Sequence, residues 1–177
     1  MKATIFDTET TGLIINPARR LDTQPEIISI AIQSVDLQTE ELFDKYYKVF
    51  KPIKSISEEI TKITGFTNDS VSEAPPIKDY IDEIIHNLQA ASLIIGQNID
   101  FDMNMIRLEC QRYNRVIKWP PVQDLVANTI YLKGYRLSLK NLHIELFGAE
   151  FTGAHQADVD VQMTIKCAIE LYKRGQL

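Results

Sequence analysis

Apolar positions in the first part of the chain alternate or cluster in short runs, whereas further along they recur at helical spacing. Residues 3–6 read as a strand that ends at the acidic pair Asp7 and Glu9, and residues 26–35 and 40–52 read as two more strands. At Ser57 the pattern changes: Ser57 ahead of Glu58, Glu59 and Ile60 has the form of a capped short helix, and residues 76–90 carry apolar side chains at helical spacing. Residues 93–95 are few enough for a buried strand closing at Gly96. Residues 101–113 read as a helix, Pro120 and Pro121 break the chain, and helices over 126–132, 138–146 and 158–174 complete it. Strands first, then strand and helices mixed, with no repeat, linker or low-complexity segment, predict one α/β domain over residues 1–177 with a mixed sheet.

A chain of 177 residues with 45% hydrophobic side chains supports one real core and is short for two ordinary domains. No apolar run approaches the roughly 18 residues that cross a bilayer, and Asp7 and Glu9 stand where a secretory leader would be apolar. The expected address is therefore the cytoplasm, with no membrane partner. Cys110 and Cys167 lie in helix-like stretches without metal-ligand spacing, which points to buried free thiols and to neither a disulfide framework nor a zinc site. The net charge of −5 argues against a broad basic surface for nucleic acid. It does not exclude nucleic acid, because two divalent cations would neutralise four carboxylates, and a phosphate meets the loaded site.

Three stretches carry candidate chemistry. Asp7 and Glu9 are two apart at a strand end, so in extended backbone both side chains leave the same face. Paired carboxylates are costly unless a cation neutralises them, and hard oxygen ligands suit Mg²⁺ or Mn²⁺. On its own the pair reads rather as a solvated strand end before the turn at Thr10, Thr11 and Gly12. In the second stretch, Gly96 to Asp102 links the short buried strand to a helix, and two aspartates compete there. A helix starting near Phe101 makes Asp100 its N-cap and leaves Asp102 in the first turn, aimed inward. The third stretch runs from Gly153 through His155 to Asp160. Residues five apart on an ideal helix point about 140° away from each other, so His155 and Asp160 converge only if His155 precedes the helix, in a turn that Gly153 starts.

In this order the three stretches resemble the motifs of the DnaQ-like exonucleases, in the branch with a catalytic histidine called DEDDh. Phe6-Asp7-Thr8-Glu9-Thr10-Thr11-Gly12-Leu13 looks like the first motif almost letter for letter, and His155 with Asp160 has the spacing of the third. The second motif aligns Phe101 and Asp102, which selects Asp102 over Asp100. Gln97 stands where the family usually has histidine, and Ile63-Thr64-Gly65-Phe66-Thr67 resembles a further family loop, with Asp124 also in register. The resemblance implies a ribonuclease-H-like fold, with Asp7, Glu9, Asp102 and Asp160 holding two divalent ions, Mg²⁺ or Mn²⁺, and His155 as general base. It implies release of single nucleotides from a nucleic acid 3′ end, with backbone near Thr10 at the terminal hydroxyl, Thr11 in the same substrate-binding segment, and Leu13 wedged against the last bases. The wording of the motifs points to single-stranded DNA and a possible DNA polymerase partner. The alternatives are an RNA 3′ exonuclease and a non-catalytic nucleic-acid-binding module.

Other residues carry less. Arg19 and Arg20 sit in a loop where phosphate contact and simple solvation are both open, and Leu13 is open between wedge and buried turn residue. His86 and His143 read as ordinary surface or cap residues, Trp119 as a core plug beneath the prolines, and Asp158 as solvated.

Overall fold

The computed structural model describes residues 1–15 and 20–177. Three strands, β1 (Lys2–Thr10), β2 (Ile27–Asp36) and β3 (Leu42–Val49), pair antiparallel in sequence, and β4 (Ile94–Gly96) and β5 (Val122–Asp124) extend the sheet in parallel on the other side of β1. The order is β3-β2-β1-β4-β5, a mixed sheet as the pattern predicts.

Helices cover both faces. On one side α2 (Ile81–Gln89) and α3 (Ile99–Arg112) bury Ile84, Leu88, Met105 and Ile106 against Phe6, Ile30 and Ile32. On the other, α5 (Leu139–Phe147) and α6 (Ala157–Lys173) pack Leu142, Val161 and Ala168 against Ala3, Ile5 and Ala31. The period of two along β1 thus assigns odd positions to the α6 side and even positions to the α3 side. A short α1 (Glu58–Thr64) is capped by Ser57, whose Oγ accepts from the Ile60 amide, and it stops at Gly65 in the left-handed conformation (φ 78°). Helix α4 (Leu125–Lys133) follows β5 directly. Cys110 and Cys167 are buried free thiols, as expected. Among the described residues no helix is long and apolar enough to cross a membrane.

Two boundaries differ from expectation in ways that matter for the site. Strand β1 does not end at the acidic pair but runs to Thr10, because β2 pairs with it throughout, Asp7 opposite Ala31 and Glu9 opposite Ser29. Helix α3 begins two residues earlier than the apolar spacing suggests: Asn98 takes the cap position in a left-handed conformation (φ 58°), so Asp100 lies inside the helix, exposed, and is not its N-cap. The 76–90 segment is also divided, into a 3₁₀ turn at Ile77–Asp79 and α2, with Tyr80 breaking the helical register between them.

Candidate active site

Strand β4 pairs with β1 only at Thr4 and Ile5, so beyond Ile5 that edge of β1 is open on the α3 side of the molecule. The candidate residues gather around this open end. Asp7 and Glu9, at odd positions, face α6, and Asp160 meets them from that helix's first turn; one carboxylate oxygen from each lies within 4.8 Å of the others. Asp102 arrives from the opposite side. Helix α3 carries it to the free edge, where its Oδ1 accepts both the Thr8 amide N–H (2.9 Å) and the Thr8 hydroxyl (2.6 Å). The edge donor that a longer β4 would have satisfied is thereby paired with a carboxylate.

His155 precedes α6, as the five-residue spacing requires. Gly153 (φ 87°) and His155 (φ 66°) both adopt left-handed backbone, uncommon for a residue with a side chain, and the His155 amide N–H donates to Asp160 Oδ2 at 2.9 Å. The loop therefore fixes Asp160 while its imidazole lines the same cleft as Asp7 and Glu9. That cleft is open and holds about 590 Å³. A second hollow of about 500 Å³ sits elsewhere, beside Lys2, Tyr46 and His86, and contributes nothing to the carboxylate cluster.

Crowding sets the electrostatics. Asp7 titrates well above the usual carboxylate range, first because it is removed from water and then because Asp102, Asp160 and Glu9 surround it with like charge. Burial, then Asp160 and Asp102, pushes Glu9 up to about 7. Asp102 also rises to about 7 through burial, against the pull of the Thr8 hydrogen bonds, and Asp160 is raised by burial against the His155 amide. Such a group cannot ionise fully near neutrality by itself. All four donors are hard oxygens, the set that divalent Mg²⁺ or Mn²⁺ neutralises, so the residues fit those ions.

The cleft's remaining wall comes from the segment after β1 and from α1. Leu13 is 80% exposed at its mouth and is not a buried turn residue. Thr10 and Thr11 line it, with the Thr10 hydroxyl donating to the Gly12 carbonyl and the Thr11 amide to the Glu26 carbonyl. Ile60, Ile63 and Phe101 add an apolar surface. No sequence pattern assigns Thr8 a partner, since Asp102 lies 94 positions away, and the sequence places Ile60 in a capped helix and Ile63 in a family loop without assigning either to the cleft. Gln97 donates to the Leu137 carbonyl (2.7 Å), tying the turn before α3 to the segment before α5. Asp124 caps α4 through the Val126 amide and also accepts from the Asn98 amide.

Elsewhere, Arg19 lies outside the described residues, and Arg20 is exposed and forked onto Asp22. Trp119 stacks on Phe6 with centroids 5.9 Å apart, the plug that was expected. His86 is exposed on α2, whereas His143, expected at the surface or as a cap, is buried against Phe147 and Phe151 with its Nδ1 at the Ala149 carbonyl just past α5. Asp158 is partly exposed and stands outside the carboxylate group.

Known proteins resemble this chain in sequence and in fold. A family model described as an exonuclease, RNase_T, matches residues 4–168. The DNA polymerase III PolC-type protein of Oceanobacillus iheyensis is 26% identical over 164 residues, covering 90% of this chain and 11% of that protein. Its Bacillus subtilis counterpart is 25% identical over 177 residues, covering 96% and 11%. The chain thus spans about a tenth of the length of these curated relatives. A structure of exonuclease I superposes with a TM-score of 0.79 at 19% identity, covering 97% of this chain and 41% of that one. A structure of a 3′-exonuclease recognising a histone mRNA stem-loop superposes with 0.75 at 20% identity, covering 98% and 82%. These likenesses establish the fold as ribonuclease-H-like, a mixed five-stranded sheet flanked by helices.

Proposed function

Because this chain belongs to the exonuclease family, we propose that it removes nucleotides one at a time from nucleic acid 3′ ends, with single-stranded DNA as its substrate. The observation that carries the reading is the convergence of Asp7, Glu9 and Asp160 within 4.8 Å in one cleft with His155, while Thr8-bound Asp102 lies close enough to add to the rise that burial gives the Asp7 pKa. Two divalent ions held by the four carboxylates would lower the pKa of the attacking water and stabilise charge on the departing 3′ oxygen. His155 accepts the proton of that water, a task for which an imidazole is better matched near neutrality than an ionised aspartate. Exposed Leu13, with Ile63 and Phe101, offers the terminal bases an apolar seat, and the backbone at Thr10 meets the terminal hydroxyl. DNA is favoured because the curated relatives are DNA polymerases, which also makes a polymerase the natural partner in proofreading.

RNA is the second reading, supported by the neighbour described as recognising an mRNA stem-loop. A purely binding module is disfavoured by the complete set of chemically competent side chains. End-labelled single-stranded DNA and RNA of the same sequence, incubated with Mg²⁺ or Mn²⁺, separate the three. Stepwise release of mononucleotides, faster from DNA, is expected; faster trimming of RNA overturns the DNA assignment, and no release from either overturns the enzymatic one.

A further inference from the structure

Arg112, at the C-terminal end of α3, is committed to a task that the carboxylate chemistry does not use. Its guanidinium donates to Glu109 Oε1 (2.6 Å) and to three backbone carbonyls of the connector between β1 and β2, those of Leu21 (3.2 Å), Gln24 (3.1 Å) and Pro25 (2.8 Å). Glu109 is 1% exposed, and its Oε1 also accepts the Ile27 amide. Carbonyls of a non-strand segment need donors when they are covered, and the planar fork of arginine supplies several at fixed angles. The connector in turn grips the segment that follows the acidic pair. Gln24 Oε1 accepts the Ile15 amide (3.1 Å), the Glu26 carbonyl accepts the Thr11 amide (2.9 Å), and the Glu26 amide donates to the Thr11 hydroxyl (2.9 Å). Lys54 closes the arrangement from outside, its ammonium on the Gln24 carbonyl and its amide on the Glu26 carboxylate.

From this network we infer that Glu109 and Arg112 are positioning residues: through the connector they hold the 3′-end-binding segment of Thr10, Thr11 and Leu13 in register with Asp102, which the same helix carries. The inference rests on the exonuclease reading for its substrate, and on the hydrogen bonds alone for its geometry. One rigid helix thus has two outputs. Its first turns place a carboxylate at the open edge of β1, and its last turn sets where the nucleic acid end lies. Neither Glu109 nor Arg112 lines the cleft or bonds to Asp7, Glu9, Asp102 or Asp160, so their effect falls on substrate placement and spares ion binding.

The test uses Arg112→Lys, which keeps a cation beside Glu109 but cannot serve three carbonyls and a carboxylate together, and Glu109→Gln, which keeps the shape and removes the charge. Three readouts are taken: KM and kcat on a single-stranded oligonucleotide, Mn²⁺ binding by calorimetry, and amide hydrogen exchange. Arg112→Lys is expected to raise KM by about tenfold with kcat within about twofold, unchanged Mn²⁺ affinity, and faster exchange confined to residues 10–15 and 21–27. Glu109→Gln gives the same pattern at smaller amplitude and carries the test alone if the lysine variant does not fold. Unchanged KM and exchange overturn the inference, as does a joint fall of kcat, Mn²⁺ affinity and melting temperature, which marks general destabilisation. A wild-type protein that releases no nucleotide overturns the exonuclease reading instead, and exchange at residues 10–15 still decides whether the clamp exists.

Discussion

At the scale of single residues, the site turns on which face of β1 each side chain takes. Asp7 and Glu9 share the α6 face with Asp160, while Thr8 points the other way and binds Asp102. On the proposed reading both halves hold the cations that would meet a phosphate, so removing the Asp102 charge while keeping its shape should cost more than removing a neighbouring charge. Asp102→Asn is expected to reduce mononucleotide release by on the order of a hundredfold, and Asp100→Asn, exposed one residue before Phe101, to leave it within about twofold. Equal losses in the two variants would remove Asp102 from the site. His155 carries a different signature. Without its imidazole, the water must lose its proton to solvent hydroxide, so the deficit of His155→Gln should narrow as pH rises from about 7 to about 9. A constant deficit over that range contradicts a role as base. That Asp7 and Glu9 share a face was legible because the period of two is local, whereas their role in the site came only from the motif resemblance. The pairing of Thr8 with Asp102 was not legible, because no local pattern encodes a contact across 94 positions.

At the scale of elements, the short parallel strands organise the access to this site. Strand β4 stops at Gly96, and the turn that follows is held from three directions: Asn98 donates its amide to Asp124, its side chain accepts from Arg136, and Gln97 reaches the Leu137 carbonyl. Asp124 therefore serves two elements, capping α4 and fixing the entry to α3. Asp124→Ala should destabilise the fold by about 1 to 2 kcal/mol, measured by urea unfolding, a loss beyond what an exposed surface aspartate would give. A loss under about 0.5 kcal/mol would mean that the turn is fixed by its other bonds. Helix identities were readable here from apolar spacing and from the cap at Ser57, whereas the Ser138 cap of α5 was shown only by the structure. The boundaries that went astray did so for tertiary reasons. Strand β1 is extended by its partner β2 past the point where its own apolar residues end, and α3 is started early by Asn98 in a conformation that asparagine tolerates, two events that side-chain hydropathy does not register.

At the scale of the whole molecule, the proposed ion site of four carboxylates would tie metal binding to stability. Their folded-state pKa values are raised, Glu9 and Asp102 to about 7 and Asp7 and Asp160 upward, whereas in the unfolded chain such groups titrate near about 4. The ion-free folded protein therefore binds more protons than the unfolded chain over the window between those values. By linkage its stability is greatest at the acidic side of that window and declines as pH rises through it to about 7, where the carboxylates are forced to ionise against one another. Divalent cations held there would reverse the penalty by supplying the missing charge, and they would bind only the deprotonated site, so their stabilisation should grow over the same interval. Melting temperatures measured with chelator and with excess Mn²⁺ should accordingly differ little at about pH 5 and clearly at about pH 8, the chelated protein being the one that loses stability. The formal charge of −5 does little to this balance, since excess negative charge far from the cleft is screened within about 10 Å at ordinary salt. If the two melting temperatures differed equally at both pH values, the four carboxylates would not be the groups that bind the ions. If the chelated protein gained stability toward pH 8, they would not be mutually repelling, and their clustering at the end of β1 would need another cause.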